Sequence, residues 1–368
     1  MRPSSCLAAL AIGAFGCGST VSDTTGDGGG GTNVVPPVGG AGLGNQGGAG
    51  AFDPSGGATT GGQGGVPSTG GAGGENQGGE GGGDPGVFDC ATAPSTAVSS
   101  QAIPGARGYH GLAINDQGLM FGIDQNNNLI RSTYDGAWTP FINNVQGEQI
   151  AFAPNGDLHI ASFSAILTAT PSAQLLTLNG SQQSSYGLRM GPDGKVWVAD
   201  SSAVKRIDPD TSTMETVVTN VGGGSFHSFD FNRAGDRLYI GVVGGGNHVS
   251  KVDLDLNYNA IGGAQAFAQI PGGGSVWLDG IATDVCGNLY VANYTTNNMY
   301  RITPAGAVSL YFDWSSSQYG HGVIFGNGKF GFRQDAVYVP QPYNGHTVME
   351  IVVGIPGRDW PGTVLNGP

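Results

Sequence analysis

LDGIATDVCGNLYVANYTTNNMYRI, residues 278–302, reads as three short β-strands joined by two turns. Ile281 to Thr283 is an alternating apolar run that enters the turn Asp284 to Gly287. Asn288 to Asn293 is rich in strand-forming residues, and Thr295 to Asn298 turns the chain into Met299 to Ile302. The lead residue of the unit is Asp279. The same succession of a polar residue, a small residue, an apolar triplet, a glycine turn and an aromatic or aliphatic strand recurs elsewhere. Its other lead residues are His110, Glu148, Tyr186, His227 and His321.

Successive lead residues stand 38, 38, 41, 52 and 42 residues apart, the length of one four-stranded sheet with its turns and the usual spacing of propeller blades. The sequence therefore predicts an all-β fold, a six-bladed β-propeller. In the second and fourth copies Gln149 and Ser228 stand where the others have glycine, so their register rests on the apolar pattern and the turns that follow. The Thr/Val/Ser-rich segment Ser95 to Ile103 belongs to no copy. It is expected to supply the outermost strand of the last blade, which would remove a free sheet edge. No stretch of the repeat region keeps helical periodicity over three turns.

The front of the 368-residue chain is of another kind. Residues 26–86 hold 28 glycines in 61 positions and no Lys or Arg, too little apolar surface to offset the entropy of ordering them. The sequence predicts a disordered Gly-rich linker over 18–86, with an end-to-end distance on the order of 45 Å. Ahead of it, Arg2 precedes the apolar run Leu7 to Phe15, too short for a permanent span and suited to a secretory leader. The run ends in Ala14, Phe15, Gly16, Cys17, which resembles a bacterial lipoprotein signal. The expected domains are a lipoprotein-type signal peptide over 1–17 lipidated at Cys17, the linker over 18–86 and the propeller over 87–368. The localisation is then that of an exported protein held in the cell envelope or on the cell surface through its N-terminal lipid alone.

Setting aside Cys6 and Cys17 leaves Cys90 and Cys286. An even pair in an exported chain predicts a disulfide between the segment before the closing strand and the first turn of blade five. From residue 87 onward there are 21 acidic and 13 basic residues. That balance argues against nucleic acid and offers no basic stripe for anionic lipid. The glycine runs at 222–224 and 272–274 are followed by strands, whereas a phosphate cradle needs a helix N-terminus behind it.

In a propeller the innermost strands line the central channel, so the six lead residues should form a ring at one mouth. Three of the chain's six histidines fall among them. Taken from alternate blades, Glu148, His227 and His321 offer two imidazoles and a carboxylate, the ligand set of a metal such as Zn with an open position for water. The other triangle, His110, Tyr186 and Asp279, is richer in oxygen and suits substrate positioning by Tyr186 or a harder cation such as Ca. A divalent metal there would activate water, with Asp279 or His110 as general base. A second account makes the ring a set of mutually hydrogen-bonded structural groups.

The stretches LDGIATDVCGNLYVANYTTNNMYRI and YGLRMGPDGKVWVADSSAVKRIDP resemble blades of the senescence marker protein/gluconolactonase family of six-bladed propellers, and the repeat pattern over residues 107–353 is compatible with it. In that family a Glu from blade one, an Asn each from blades three and four and an Asp from blade five hold a divalent cation, and the Asp serves lactone hydrolysis. The resemblance implies that role for Asp279. His110, Tyr186 and His227 stand at the other three positions. The His-Gly pairs at 110 and 321 also resemble propeller lyases that use histidine, and the blade pattern is shared with propellers that mostly bind partners. The expected function is thus a surface-tethered, metal-assisted hydrolase or lyase acting as a monomer on a small extracytoplasmic substrate. The alternative is a non-catalytic propeller that binds a small ligand or a cell-surface protein.

Overall fold

A computed structural model describes residues 88–107, 110–181, 185–219, 224–244, 246–272, 276–314, 320–342 and 347–358. The expected leader, Cys17 and the linker lie outside the described residues. The strands assemble into six four-stranded antiparallel sheets, each of consecutive strands except the last. In blade five, Leu278–Thr283, Leu289–Asn293, Asn298–Ile302 and Val308–Asp313 pair in order. The innermost strands of the six blades are Leu112–Ile114, Ile150–Phe152, Ser185–Met190, Ser225–Phe231, Leu278–Thr283 and Ile324–Phe325.

The second strand of each blade is sandwiched between neighbouring sheets, so both of its faces need apolar side chains. Val196–Asp200, Leu289–Asn293 and Ala336–Gln341 are accordingly buried at every position. Six apolar clusters fill the six gaps between adjacent blades. Between blades three and four Trp197 meets Phe231 edge to face at 5.0 Å; each such fully buried aromatic stabilises by roughly 1.5 to 3 kcal/mol. The turn after each innermost strand contains a glycine with φ between 74° and 87°, Gly118, Gly156, Gly194, Gly235, Gly287 and Gly328. A side chain would strain that left-handed backbone, which explains why the turn glycine recurs in all six copies.

Closure follows the expected scheme. Ser99–Arg107 pairs antiparallel with Thr347–Val352 as the outermost strand of blade six, beginning a little later than the Thr/Val/Ser-rich segment does. Glu350, 2% exposed, accepts hydrogen bonds from Gln101 of the closing strand, Tyr338 of blade six and Tyr134 of blade one. A buried carboxylate with three donors is compensated for its lost hydration, and here it joins first and last blades. Cys90 and Cys286 form a disulfide with Cα atoms 5.6 Å apart, fastening the segment before the closing strand to blade five. Nearby, Arg301 of blade five donates to the Pro94 carbonyl.

Candidate functional site

Local backbone irregularity aims the lead residues at the channel. In blade four Phe226 faces Val242 and Ser228 faces Gly241, leaving His227 as the extra residue of a bulge. In blade five Leu278 faces Asn293 and Gly280 faces Ala292, leaving Asp279 in the same position. Glu148 and Gln149 both bond Ala161, through Glu148 N–H to the Ala161 carbonyl at 2.8 Å and Ala161 N–H to the Gln149 carbonyl at 2.9 Å. The register also shifts between Ser185 and Leu188, around Tyr186. A bulge interrupts the two-residue alternation and re-aims one side chain, so the lead residue can face the channel while the rest of its strand packs between blades.

The residue after each lead residue sets the ring's diameter. A Cβ built on Gly111, Gly187, Gly280 or Gly322 would fall within 2.5 to 2.7 Å of backbone in the next blade. The two copies without glycine use their side chains instead. Ser228 Oγ donates to the Leu278 carbonyl at 2.6 Å, and Gln149 Nε2 donates to the His110 carbonyl at 3.3 Å. Their register is thereby fixed with Glu148 and His227 on the ring.

Contacts between neighbouring blades link the six residues. His110 Nδ1 meets Glu148 Oε2. The His110 ring stacks on that of His321 at 4.5 Å, and Tyr186 stacks on His227 at 4.3 Å. Asp279 closes the run, with Oδ1 3.1 Å from His227 Nδ1 and Oδ2 3.0 Å from His321 Nδ1. The alternate-blade grouping of Glu148, His227 and His321 is not the arrangement observed. Glu148 pairs with His110, and the two imidazoles share Asp279, because neighbouring positions on a tight ring meet first. Among the described residues no group of three or more His, Cys, Asp or Glu is disposed to hold a metal ion.

Burial governs the charges. The side chains of Asp279 and His321 are 2% and 7% exposed, and that of His227 is 18% exposed. Burial, with repulsion from His227, pushes His110 down to about 3. Burial alone pushes His227 down to about 4, and burial with repulsion from His110 and His227 holds His321 well below the usual imidazole range. The same desolvation pushes the Asp279 carboxyl up to about 7. The three imidazoles are therefore neutral at pH 7, and Asp279 exchanges a proton near neutrality, as general acid–base work requires.

Sequence reasoning missed two sets of residues. Tyr294 lies beside His321 with ring centroids 5.0 Å apart, and Trp277, 45% exposed, lies 5.8 Å from Tyr294, extending an aromatic shelf from the ring. Farther along the innermost strands Arg189 crosses from blade three, donating to the carbonyls of Ile281 at 3.1 Å and Val323 at 2.9 Å. It thus forms a floor across the channel beyond the ring. Asp230 beside it accepts from Thr283 N–H at 2.9 Å and pairs with Arg358. A charged residue inside a buried strand, as in GLRM and HSFDF, was the available signal.

Six sheets around a channel, with a ring of imidazoles, carboxylates and a phenol at one mouth, define a six-bladed propeller with a polar site on its axis. The SMP-30/Gluconolactonase/LRE-like region family pattern matches residues 91–319, more than half of the chain, and the chain belongs to that family. The Gluconolactonase of Zymomonas mobilis is 35% identical over 83 residues, 21% of this chain and 23% of the relative, so the shared stretch is under a quarter of the relative's length. Among solved structures, a calcium-binding regucalcin from Agrobacterium tumefaciens superimposes with a TM-score of 0.58 at 14% identity, over 72% of this chain and 96% of that one. An auxiliary nutrient binding protein from Bacteroides thetaiotaomicron gives 0.55 at 12% identity, over 69% and 70%. At these identities the likeness is one of fold.

The residues present do not fit the oxygen-rich cation site of the family. Histidine or tyrosine stands at three of its four positions, and the one carboxylate that remains there, Asp279, is engaged with two imidazoles. A hard cation gains little from neutral imidazole ligands.

Proposed function

We propose that this protein is an acid–base hydrolase or lyase acting on a small substrate at the ring-bearing mouth of the channel. The observation that carries it is the buried Asp279 held between Nδ1 of His227 and of His321. A carboxyl that exchanges its proton near pH 7 beside neutral imidazoles can take a proton from a substrate or a water and return it to a leaving group. Being 2% exposed, Asp279 works through His227, whose ring is the more accessible and is covered on one face by Tyr186. Tyr186 and the Trp277–Tyr294 shelf then position the substrate. The gluconolactonase-like membership makes small lactones and related cyclic esters the first substrates to try. Turnover of a lactone panel by the purified protein, abolished in Asp279→Asn, supports this reading; no turnover of any lactone or elimination substrate counts against it. Zn, Mn and Ca added to parallel assays test the metal-assisted form, which would need Glu148, His227 and His321 to leave their present partners.

A binding role is favoured by the exposed Trp277 beside a ring whose polar groups already engage one another. In that case D279N leaves ligand affinity within threefold, whereas Trp277→Ala weakens it tenfold or more.

The site would act outside the cytoplasm, on a monomer tethered through lipidated Cys17. The Cys90–Cys286 disulfide supports an oxidising compartment. Incorporation of labelled fatty acid into the wild type and not into Cys17→Ser tests the anchor.

A further inference from the structure

The channel has a second, unassigned end. Beyond the Arg189 floor the innermost strands open into a cavity of about 340 Å³, within the size range of small-molecule sites. Its walls are apolar, with Ile114, Ile150, Phe152 and Phe325 prominent, and its polar lining includes Arg189, Asp230 and Thr283. Asp230 is satisfied from within the protein, pairing with Arg358 and accepting from Thr283 N–H at 2.9 Å. Arg189 keeps donors to offer. Its guanidinium donates to the carbonyls of Leu188, Ile281 and Val323, three bonds for five N–H groups. Its Nε stands 3.9 Å from Asp230 Oδ1, beyond hydrogen-bond reach. The Thr283 hydroxyl, on a residue 1% exposed, meets no hydrogen-bonding partner in the protein.

We propose that this cavity binds a small neutral carbonyl compound, a ketone, ester or amide with a hydrocarbon body, whose oxygen accepts from Arg189 and the Thr283 hydroxyl. The physical reason is satisfaction of buried donors. A polar group left unpaired away from water is costly, and a carbonyl oxygen with two lone pairs relieves it without bringing in a charge. Ions fit less well. An anion would be set beside the Asp230 carboxylate and a cation beside guanidinium groups, each after giving up its hydration to enter an apolar cavity. A pure hydrocarbon would gain the apolar walls and leave the donors unpaired. The site is distinct from the ring. Asp279 stands near the start of the innermost strand Leu278–Thr283 and Thr283 at its end, roughly 13 Å farther along the channel.

Isothermal titration of the full-length protein with four probes of similar size tests it: acetophenone, ethylbenzene, which lacks the carbonyl, benzoate and benzylamine. We expect one equivalent of acetophenone to bind at least tenfold more tightly than each of the other three. Arg189→Met should weaken acetophenone to the level of ethylbenzene and leave ethylbenzene unchanged. Ile114→Trp, which narrows the cavity while keeping its polar groups, should weaken both at least tenfold. Trp277→Ala, at the ring-bearing mouth, should leave acetophenone binding unchanged. No binding of acetophenone, binding of ethylbenzene, benzoate or benzylamine as tight as that of acetophenone, a tenfold preference for acetophenone that survives in R189M, or loss of acetophenone in W277A with retention in I114W would overturn the proposal. The wild-type comparison of the four probes, with W277A, decides even if R189M or I114W fails to fold.

Discussion

Gly280 of blade five packs against His321 of blade six so closely that a Cβ on the glycine would lie 2.7 Å from the histidine's carbonyl oxygen. The contact is backbone on backbone, so no side-chain rotation can relieve an added methyl. Gly280→Ala should destabilise the protein by about 1 to 3 kcal/mol, read as a lower midpoint in denaturant. Gly263→Ala is the control, since nothing lies within 4 Å of a Cβ there. Equal stabilities of the two variants would show that the ring is looser than described.

The Cys90–Cys286 disulfide spans 196 residues of sequence. By the chain-entropy argument such a loop lowers the entropy of the unfolded chain enough to stabilise by up to about 5 kcal/mol. The Cys90→Ser/Cys286→Ser double variant should therefore unfold at a markedly lower temperature than the wild type. A wild type whose melting is unmoved by reductant, with two free thiols by mass, would contradict the bridge.

The blade period was legible because a glycine turn and an apolar triplet recur in every copy, and the geometry behind them is local. The ring was legible for a related reason: Asp279, His227 and the others head their innermost strands. Which ring members meet was not legible. That depends on a diameter set by Gly111, Gly187, Gly280 and Gly322 against the next blade, and on bulges at His227 and Asp279 that no periodicity announces. Arg358 was invisible to repeat reasoning because it follows the last copy, and its partner Asp230 is brought to it only by closure of the ring of blades.

Acid should destabilise the metal-free protein. His110, His227 and His321 have folded-state affinities for protons far below the usual imidazole value near 6.5, so the unfolded chain binds more protons between about pH 4 and 6.5 and stability is lost as pH falls through that window. Asp279 acts oppositely, since its raised value makes the folded state bind the extra proton between about pH 4 and 7. Within the ring, three groups against one contribute a net slope of up to about 3 kcal/mol per pH unit, and the buried His159, pushed down to about 4, acts in the same sense as the ring histidines. Melting temperatures in EDTA should climb from pH 4 to 6.5. A flat or falling profile there would mean that the imidazoles are not held neutral.

Tyr186 covers one face of His227 with ring centroids 4.3 Å apart. Tyr186→Ala should raise KM more than it lowers kcat if the phenol positions substrate, and should leave melting within a few degrees of the wild type, because the residue is only half-buried at the mouth. A fall in kcat alone would place Tyr186 in proton transfer.

The central claim is that Asp279 holds and releases a proton near neutrality between two neutral imidazoles. Carbon-13 NMR titration of the aspartate carboxyls, assigned by D279N, measures this without any substrate. The expected result is a carboxyl midpoint near 7, with His227 and His321 resonances shifting in the same step, His227 showing no protonation above about pH 5 and His321 protonating only well below the usual imidazole range. An Asp279 midpoint near 4 together with ring histidines titrating near 6.5 would contradict it.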